Sequence, residues 1–310
     1  MKYILLFIFL IQLCSSAKVL IITHSYNRPD FIELQEKTFK AFLQDAYEYV
    51  VFNDARDDGM KSAIEQTCSR LGIRCFRVPQ HLHDAPGRQS AGHRHMDGIA
   101  YALQQIGYDY DGIVTLIDSD VFLLKKFSME KYLEGYDIAG ELQGRENGSI
   151  IIRHLSPILT LMNMKTLPNK RTLSFEGGHI HGIACDVGAH TYYYLRDNPS
   201  IKPLFFTLTY IPALKIALNC LSCSNFSCNN CVQYLKSINF DDKMITFVQN
   251  CPDNNMEFAL NNTFLHYRCG SNWNQKPGEY HNAKTNALNN LIADLLYTHY
   301  YHLHALVGQF

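Results

Sequence analysis

The 310-residue chain lacks a charge excess of either sign: 28 Lys and Arg stand against 29 Asp and Glu, leaving −1 at pH 7. That excludes the basic surplus by which proteins hold phosphate backbones, and no nucleic-acid partner is expected. Long apolar runs are also missing. The N-terminal run, residues 3–13, falls short of the about 20 residues that cross a bilayer, so no stable membrane span is expected. Internal repeats and low-complexity linkers are absent, which excludes a solenoid or a string of small modules.

What is present is a globular composition. Hydrophobic residues at 47% are enough for a sizeable core, and 12% aromatics exclude a disordered chain. Lys2, the apolar residues 3–13 and the small exit Cys14-Ser15-Ser16-Ala17 have the layout of a secretory signal peptide, expected to occupy residues 1–17. The alternative is a hydrophobic first strand or an uncleaved short anchor. The ten cysteines fit an oxidising compartment, and removing Cys14 leaves nine, an odd number. Asn147-Gly148-Ser149, Asn225-Phe226-Ser227 and Asn261-Asn262-Thr263 are glycosylation sequons. Cys220, Cys223, Cys228 and Cys231 form two Cys-x-x-Cys pairs. Their four-residue gap is shorter than in zinc fingers, and local disulfides are expected there, with a four-thiolate zinc site as the alternative.

Strand and helix patterns alternate through the first half. Residues 19–23, 49–52, 75–78 and 112–117 read as strands. Asn27-Arg28-Pro29-Asp30 turns into a helix with Pro29 in its first turn, and Gly72 closes another. Met96, Ile99, Ala100 and Leu103 mark a third helix. This order predicts an α/β fold with a mostly parallel sheet flanked by helices. Residues 138–142, 149–153 and 263–267 are further strand candidates, residues 203–251 read as a Cys-rich insertion, and residues 283–306 read as a closing helix.

Asp118-Ser119-Asp120 directly follows the buried run Gly112-Ile113-Val114-Thr115-Leu116-Ile117. Open α/β sheets bind ligands beyond the carboxyl ends of their strands. Two carboxylates one residue apart there make a hard-oxygen site suited to Mg²⁺ or Mn²⁺ beside a phosphate; otherwise the pair merely solvates a strand end.

Together these residues resemble a GT-A-type nucleotide-sugar glycosyltransferase, family 2-like. Thr23 with Tyr26-Asn27-Arg28-Pro29 is similar to the opening of those enzymes. Asp118-Ser119-Asp120 is similar to their metal-binding D-x-D, and Phe264-Leu265-His266-Tyr267-Arg268 with Gly270-Ser271-Asn272-Trp273 to their late histidine segment. The resemblance spans residues 18–130 and returns at 263–282. It implies a single domain over residues 18–310, with a nucleotide-binding half at 18–130 and an acceptor half at 131–310. Mn²⁺, or else Mg²⁺, would be held by Asp118, Asp120 and His266. The nucleoside-diphosphate sugar, UDP-linked by resemblance, would meet Thr23, Arg28, Asp54 and Asp118, with Arg88 or Arg94 toward the diphosphate. The acceptor would be a glycan, protein or lipid.

Inverting and retaining transfer are both open, and an inverting enzyme calls for a carboxylate to take the acceptor hydroxyl's proton. Glu176, beside Gly177-Gly178, and Asp186 are the candidates, and capping or salt-bridging is the plain alternative for each. Two other functions fit parts of the pattern. A nucleotidyltransferase would also use paired Asp and Mg²⁺, but Ser25-Tyr26-Asn27-Arg28 is not the Gly-rich loop it needs. A non-catalytic secreted glycan-binding module would keep Ca²⁺ or nothing at the Asp pair. A nucleotide-sugar enzyme with a signal peptide belongs on a eukaryotic or virus-encoded secretory route, in the ER or Golgi lumen or secreted. In a bacterium the same segment would be an export signal. Protein recovered from a eukaryotic secretory host is expected to begin at Lys18 by N-terminal sequencing; a chain still starting at Met1 would contradict cleavage.

Overall fold

A computed structural model describes residues 18–307 except 89, 148–149, 218–225, 227, 252–254 and 271–277. The signal-peptide segment, Cys220, Cys223, Asn225 and Ser271-Asn272-Trp273 therefore lie outside the described residues, as do Gly148 and Ser149 of the first sequon. Strands β1 (Val19–Ser25), β2 (Tyr47–Asn53), β3 (Arg74–Arg77) and β4 (Ile113–Ile117) come first, with helices α1 (Pro29–Phe42), α2 (Asp58–Leu71) and α3 (Ala91–Ala102) between them. After the short β5 (Val121–Leu123) come β6 (Ile138–Asn147), β7 (Ile150–Asn163), β8 (Gly178–Ile180) and β9 (Ile183–Cys185). Helix α4 (Thr191–Asp197), β10 (Pro203–Phe206), β11 (Thr209–Tyr210) and α5 (Asp242–Asn250) lead to β12 (Glu257–Ala259), β13 (Phe264–His266) and the closing α6 (Gly278–Val307).

Seven strands form the central sheet in the order β10-β6-β7-β4-β1-β2-β3. Neighbours run parallel except at β7, which is antiparallel to both β4 and β6. This is the expected α/β architecture with a mostly parallel sheet. Alternate residues of β1 face two different cores: Val19 and Ile21 pack under α1 and α2, whereas Leu20 and Ile22 pack under α3. Burial on both faces explains why β1 and β4 read as unbroken apolar runs.

Local signals set the helix ends. Asp57 caps α2 by accepting from the Met60 amide at 2.8 Å, and Gly72 closes it at φ 71°. Ser90 caps α3 through the His93 amide. Two expectations need correction. Residues 203–251 are not wholly an insertion, because β10 pairs with β6 as the edge of the central sheet. The strand expected at 149–153 runs on to Asn163, since β7 must reach β4 as well as β6. Among the described residues no helix is long and apolar enough to cross a membrane.

A second, four-stranded sheet, β11-β12-β13-β5, starts where the Asp-Ser-Asp turn ends. β13 lies antiparallel to both neighbours, with His266 opposite Val121 on one side and Glu257 on the other. Its apolar face, including Phe122, Phe258 and Leu265, packs in one core with Phe247 and Val248 of α5 and Leu288 and Ile292 of α6.

Gln35, fully buried on α1, ties the two sheets together at the turn. Its amide nitrogen donates to the carbonyls of Asp118 (2.9 Å) and Val121 (2.8 Å), and its oxygen accepts from the Tyr49 hydroxyl at 2.6 Å. Leucine is apolar and one bond shorter, and it leaves these groups unpaired in an apolar setting. Gln35→Leu is expected to lower unfolding stability by about 2–3 kcal/mol in urea titration, whereas an unchanged midpoint would show that the turn does not depend on it.

Candidate functional site

The parallel strands β1, β2 and β4 end on the same side of the sheet, where a cavity of about 510 Å³ opens. Its wall is built from the segments that follow those strands: His24, Tyr26 and Asn27 after the middle of β1, Asp54 and Arg56 after β2, and Asp118-Ser119-Asp120 after β4. The first turns of α3 supply Gly92, Arg94 and His95, and β13 with its exit supplies His266, Arg268 and Cys269. Asp186 and Val187 stand on the wall after β9.

Asp118, Asp120 and His266 converge here, each with a ligand atom within 4.8 Å of the others. Asp120 is 4% exposed. Its Oδ2 accepts from the Gly270 amide at 2.8 Å, and its Oδ1 lies 3.5 Å from His266 Nε2. Burial alone would raise the Asp120 carboxyl, but His266 and the Gly270 N–H outweigh it and hold the group below its usual range. Gly270 is glycine for a steric reason: a Cβ there would meet Tyr267, Asp120 and Phe31 at 2.7–2.8 Å. His266 is pushed up to about 10; burial opposes this, and the carboxylates of Asp120 and Glu257 override it.

Asp118 differs. His95 Nε2 is 3.2 Å from Asp118 Oδ1. The alignment is not that of a hydrogen bond, so this buried oxygen has no hydrogen-bond partner among the described residues. Burial lowers His95, yet the carboxylates, Asp118 foremost, raise it above its ordinary value. Beneath it, half-buried His24 is held neutral, its pKa lowered to about 3 by burial and by His95. A buried carboxylate, a half-buried one with an orphaned oxygen, and an imidazole nitrogen are a donor set that fits a divalent cation with mixed oxygen and nitrogen preference, Mn²⁺ better than Ca²⁺.

Asp54 is 6% exposed on the opposite wall. It pairs with His83 Nε2 and Arg94 Nη2, both at 2.9 Å, and Arg94 lies over the Tyr26 ring at 5.2 Å. His83 continues to Asp97 at 3.0 Å, and Asp97 pairs with Arg88.

Four expected site residues do not reach the cavity wall. Thr23 is enclosed in the sheet, because β1 continues to Ser25 and presents His24 instead. Arg28 is 1% exposed; its guanidinium lies over Phe31 at 3.3 Å and donates to the Gly270 carbonyl (2.9 Å), Asp30 and Thr285. It braces the late segment rather than a ligand. Arg88 and Glu176 engage each other through Nη1–Oε1 at 2.7 Å and Nη2–Oε2 at 3.2 Å, which occupies both groups. Of the two acid–base candidates, only Asp186 lines the cavity.

Arg94 stood as an alternative to Arg88, and the structure favours it as a wall residue. Tyr26 and Arg268 lie within the family-like motifs without a role assigned to either, and no sequence signal marks His24 or Glu257. His95 lay in a visible His-Arg-His triplet, but only α3 turns it toward Asp118. The Cys228 and Cys231 sulfurs are 3.1 Å apart, too far for a bond between them at about 2.05 Å.

No protein family and no curated protein matches the sequence. Solved structures match in part. A mannosyltransferase of Pyrobaculum calidifontis, solved with GDP-Man and Mn²⁺, shares 15% identity over 62% of this chain at a TM-score of 0.39; the chain spans 55% of its length. The glucosyl-3-phosphoglycerate synthase of Mycobacterium tuberculosis, solved with Mn²⁺, UDP and glucosyl-3-phosphoglycerate, shares 14% over 62% of this chain and 70% of that one, at 0.34. The galactosyltransferase LgtC, solved with donor and acceptor sugar analogues, shares 13% over 60% of this chain and 72% of that one, at 0.36. These likenesses are partial and low in identity; what the cavity can bind follows from its own side chains.

The raised His266 makes the metal-free protein pH-sensitive. Its folded pKa, about 10, lies above the unfolded 6.5, so its stabilisation is complete below 6.5 and is lost as pH rises toward 10. In EDTA, Tm is expected to fall between pH 7 and 10, and the His266→Gln variant to lack that part of the fall; equal slopes would contradict the Asp120–His266–Glu257 contact.

Proposed function

We propose that the chain is a metal-dependent glycosyltransferase that moves a sugar from a nucleoside diphosphate to an acceptor hydroxyl. The observation that carries this reading is the convergence of Asp118, Asp120 and His266 at the carboxyl end of β4, on a cavity large enough for a nucleotide. Asp120 and His266 would hold the ion, with Asp118 shared between the ion and the sugar hydroxyls of the donor. A divalent cation bound there supplies neutralising charge to a departing diphosphate.

The chain's own residues account for the rest of the reading. Tyr26, Asn27 and Asp54 offer a ring face and polar atoms to the nucleoside, with Asp54 held in place by Arg94 and His83. Arg268, stacked at 5.0 Å from the Tyr210 ring, presents a guanidinium on the wall beside His266 and suits the diphosphate. Asp186 is the one candidate base on the wall; its Oδ1 accepts the Val187 amide at 2.8 Å, which leaves Oδ2 to take a proton from the acceptor. UDP is the first nucleotide to test, by resemblance, and Mn²⁺ suits the nitrogen ligand better than Mg²⁺ does. Passage through a secretory compartment and disulfides within residues 220–231 belong to the same proposal.

Calorimetry against a panel of nucleoside diphosphates, with Mn²⁺ and with EDTA, tests it. One nucleotide is expected to bind only when Mn²⁺ is present, and Asp120→Asn to weaken that binding at least tenfold without changing the fold by circular dichroism. Binding of free glycans with no nucleotide bound would instead favour a glycan-binding module.

A further inference from the structure

Glu257 has no place in the reading above, yet it sits at the join of its parts. It lies on β12 directly opposite His266 on β13, and antiparallel partners in register project side chains to the same face. The residue is 8% exposed, and both of its carboxylate oxygens are engaged. Oε2 lies 2.8 Å from His266 Nδ1, and Oε1 accepts from Arg268 Nη1 at 2.7 Å. His266 then has one ring nitrogen held by Glu257 and the other, Nε2, directed at Asp120.

We propose that Glu257 is the positioning residue of the Asp118–Asp120–His266 site, fixing the His266 ring so that Nε2 faces the ion while its other oxygen holds Arg268 against the same cavity wall. The proposal rests on the metal reading above. A ligating imidazole must present an unprotonated nitrogen, and a carboxylate on the far nitrogen keeps the proton there and the ring from turning. Glu257 is therefore not a ligand itself: its oxygens are taken, and it stands outside the convergent group. The two contacts also fix the spacing between the His266 ring and the Arg268 guanidinium. Neither His266 nor Arg268 could shift without losing a charge-assisted hydrogen bond to the same buried group.

The test is Mn²⁺ binding followed by electron paramagnetic resonance, on the full chain without nucleotide. Outer-shell partners of this kind are worth about 10- to 100-fold in metal affinity. Glu257→Ala is expected near the upper end. Glu257→Gln, which keeps the shape and a weaker acceptor, is expected nearer tenfold. In ¹⁵N-histidine spectra of the Zn²⁺-loaded protein, the wild type should keep the proton on Nδ1 of His266, and Glu257→Ala should lose that signature. If the wild type binds Mn²⁺ and both variants bind it equally well, the positioning role is overturned and the metal reading stands. If the wild type binds no Mn²⁺, the metal reading falls, and this one with it.

Discussion

The antiparallel pairing of β13 with β5 is the contact on which the site depends. β5 begins immediately after Asp120, and His266 lies opposite its first residue, Val121. That register turns a remote histidine into a neighbour of the Asp pair. Two backbone contacts reinforce the join: the Tyr267 amide donates to the Asp120 carbonyl at 2.8 Å, and the Gly270 amide donates to the Asp120 side chain. Arg28 then braces Gly270 from the β1–α1 turn. Because strand side chains alternate, a one-residue slip of β13 would send His266 to the opposite face, away from both Asp120 and Glu257.

The electrostatics follow from this crowding. Asp54, Asp118, Asp120 and Glu257 are all largely withdrawn from water, and carboxylates so placed need counter-charge. Arg94 serves Asp54, Arg268 and His266 serve Glu257, and His266 again serves Asp120. Asp118 has His95 beside it at 3.2 Å, but its Oδ1 has no hydrogen-bond partner among the described residues. The imbalance lies where a cation would be most useful. The raised histidines on either side express the same excess of negative potential.

A second charge relay runs away from the cavity, Asp54 to His83 to Asp97 to Arg88 to Glu176. It links the exit of β2 to the loop before β8 and fixes α3 between them. Arg88 and Glu176 thus have a shared task in holding the wall up, and that task removed both from the set facing the ligand. Asp186 escapes the same fate because the relay stops at Glu176.

Local chemistry made much of this legible. The apolar runs of β1, β2 and β4, Pro29 at the start of α1 and Gly72 at the end of α2 are short-range signals, and each stands where the residues placed it. So does the Asp pair at a strand end, which marks the ligand-binding edge of any parallel sheet. Which polar side chains face that edge was not legible. Thr23 and His24 are adjacent in sequence, and two extra residues of strand exchanged their roles. Glu176 and Asp186 looked alike until Arg88 folded onto one of them. Glu257 gave no signal, since its importance lies in a cross-strand register between two three-residue strands. The sequence by itself determined the α/β order, the position of the sheet edge and the carboxylates that mark it, because those depend on periodicity and turn chemistry within a few residues. The tertiary structure alone decided which charges meet, because partners such as Arg28 and Gly270, or Glu257 and His266, are chosen by strand register and packing that no local pattern encodes.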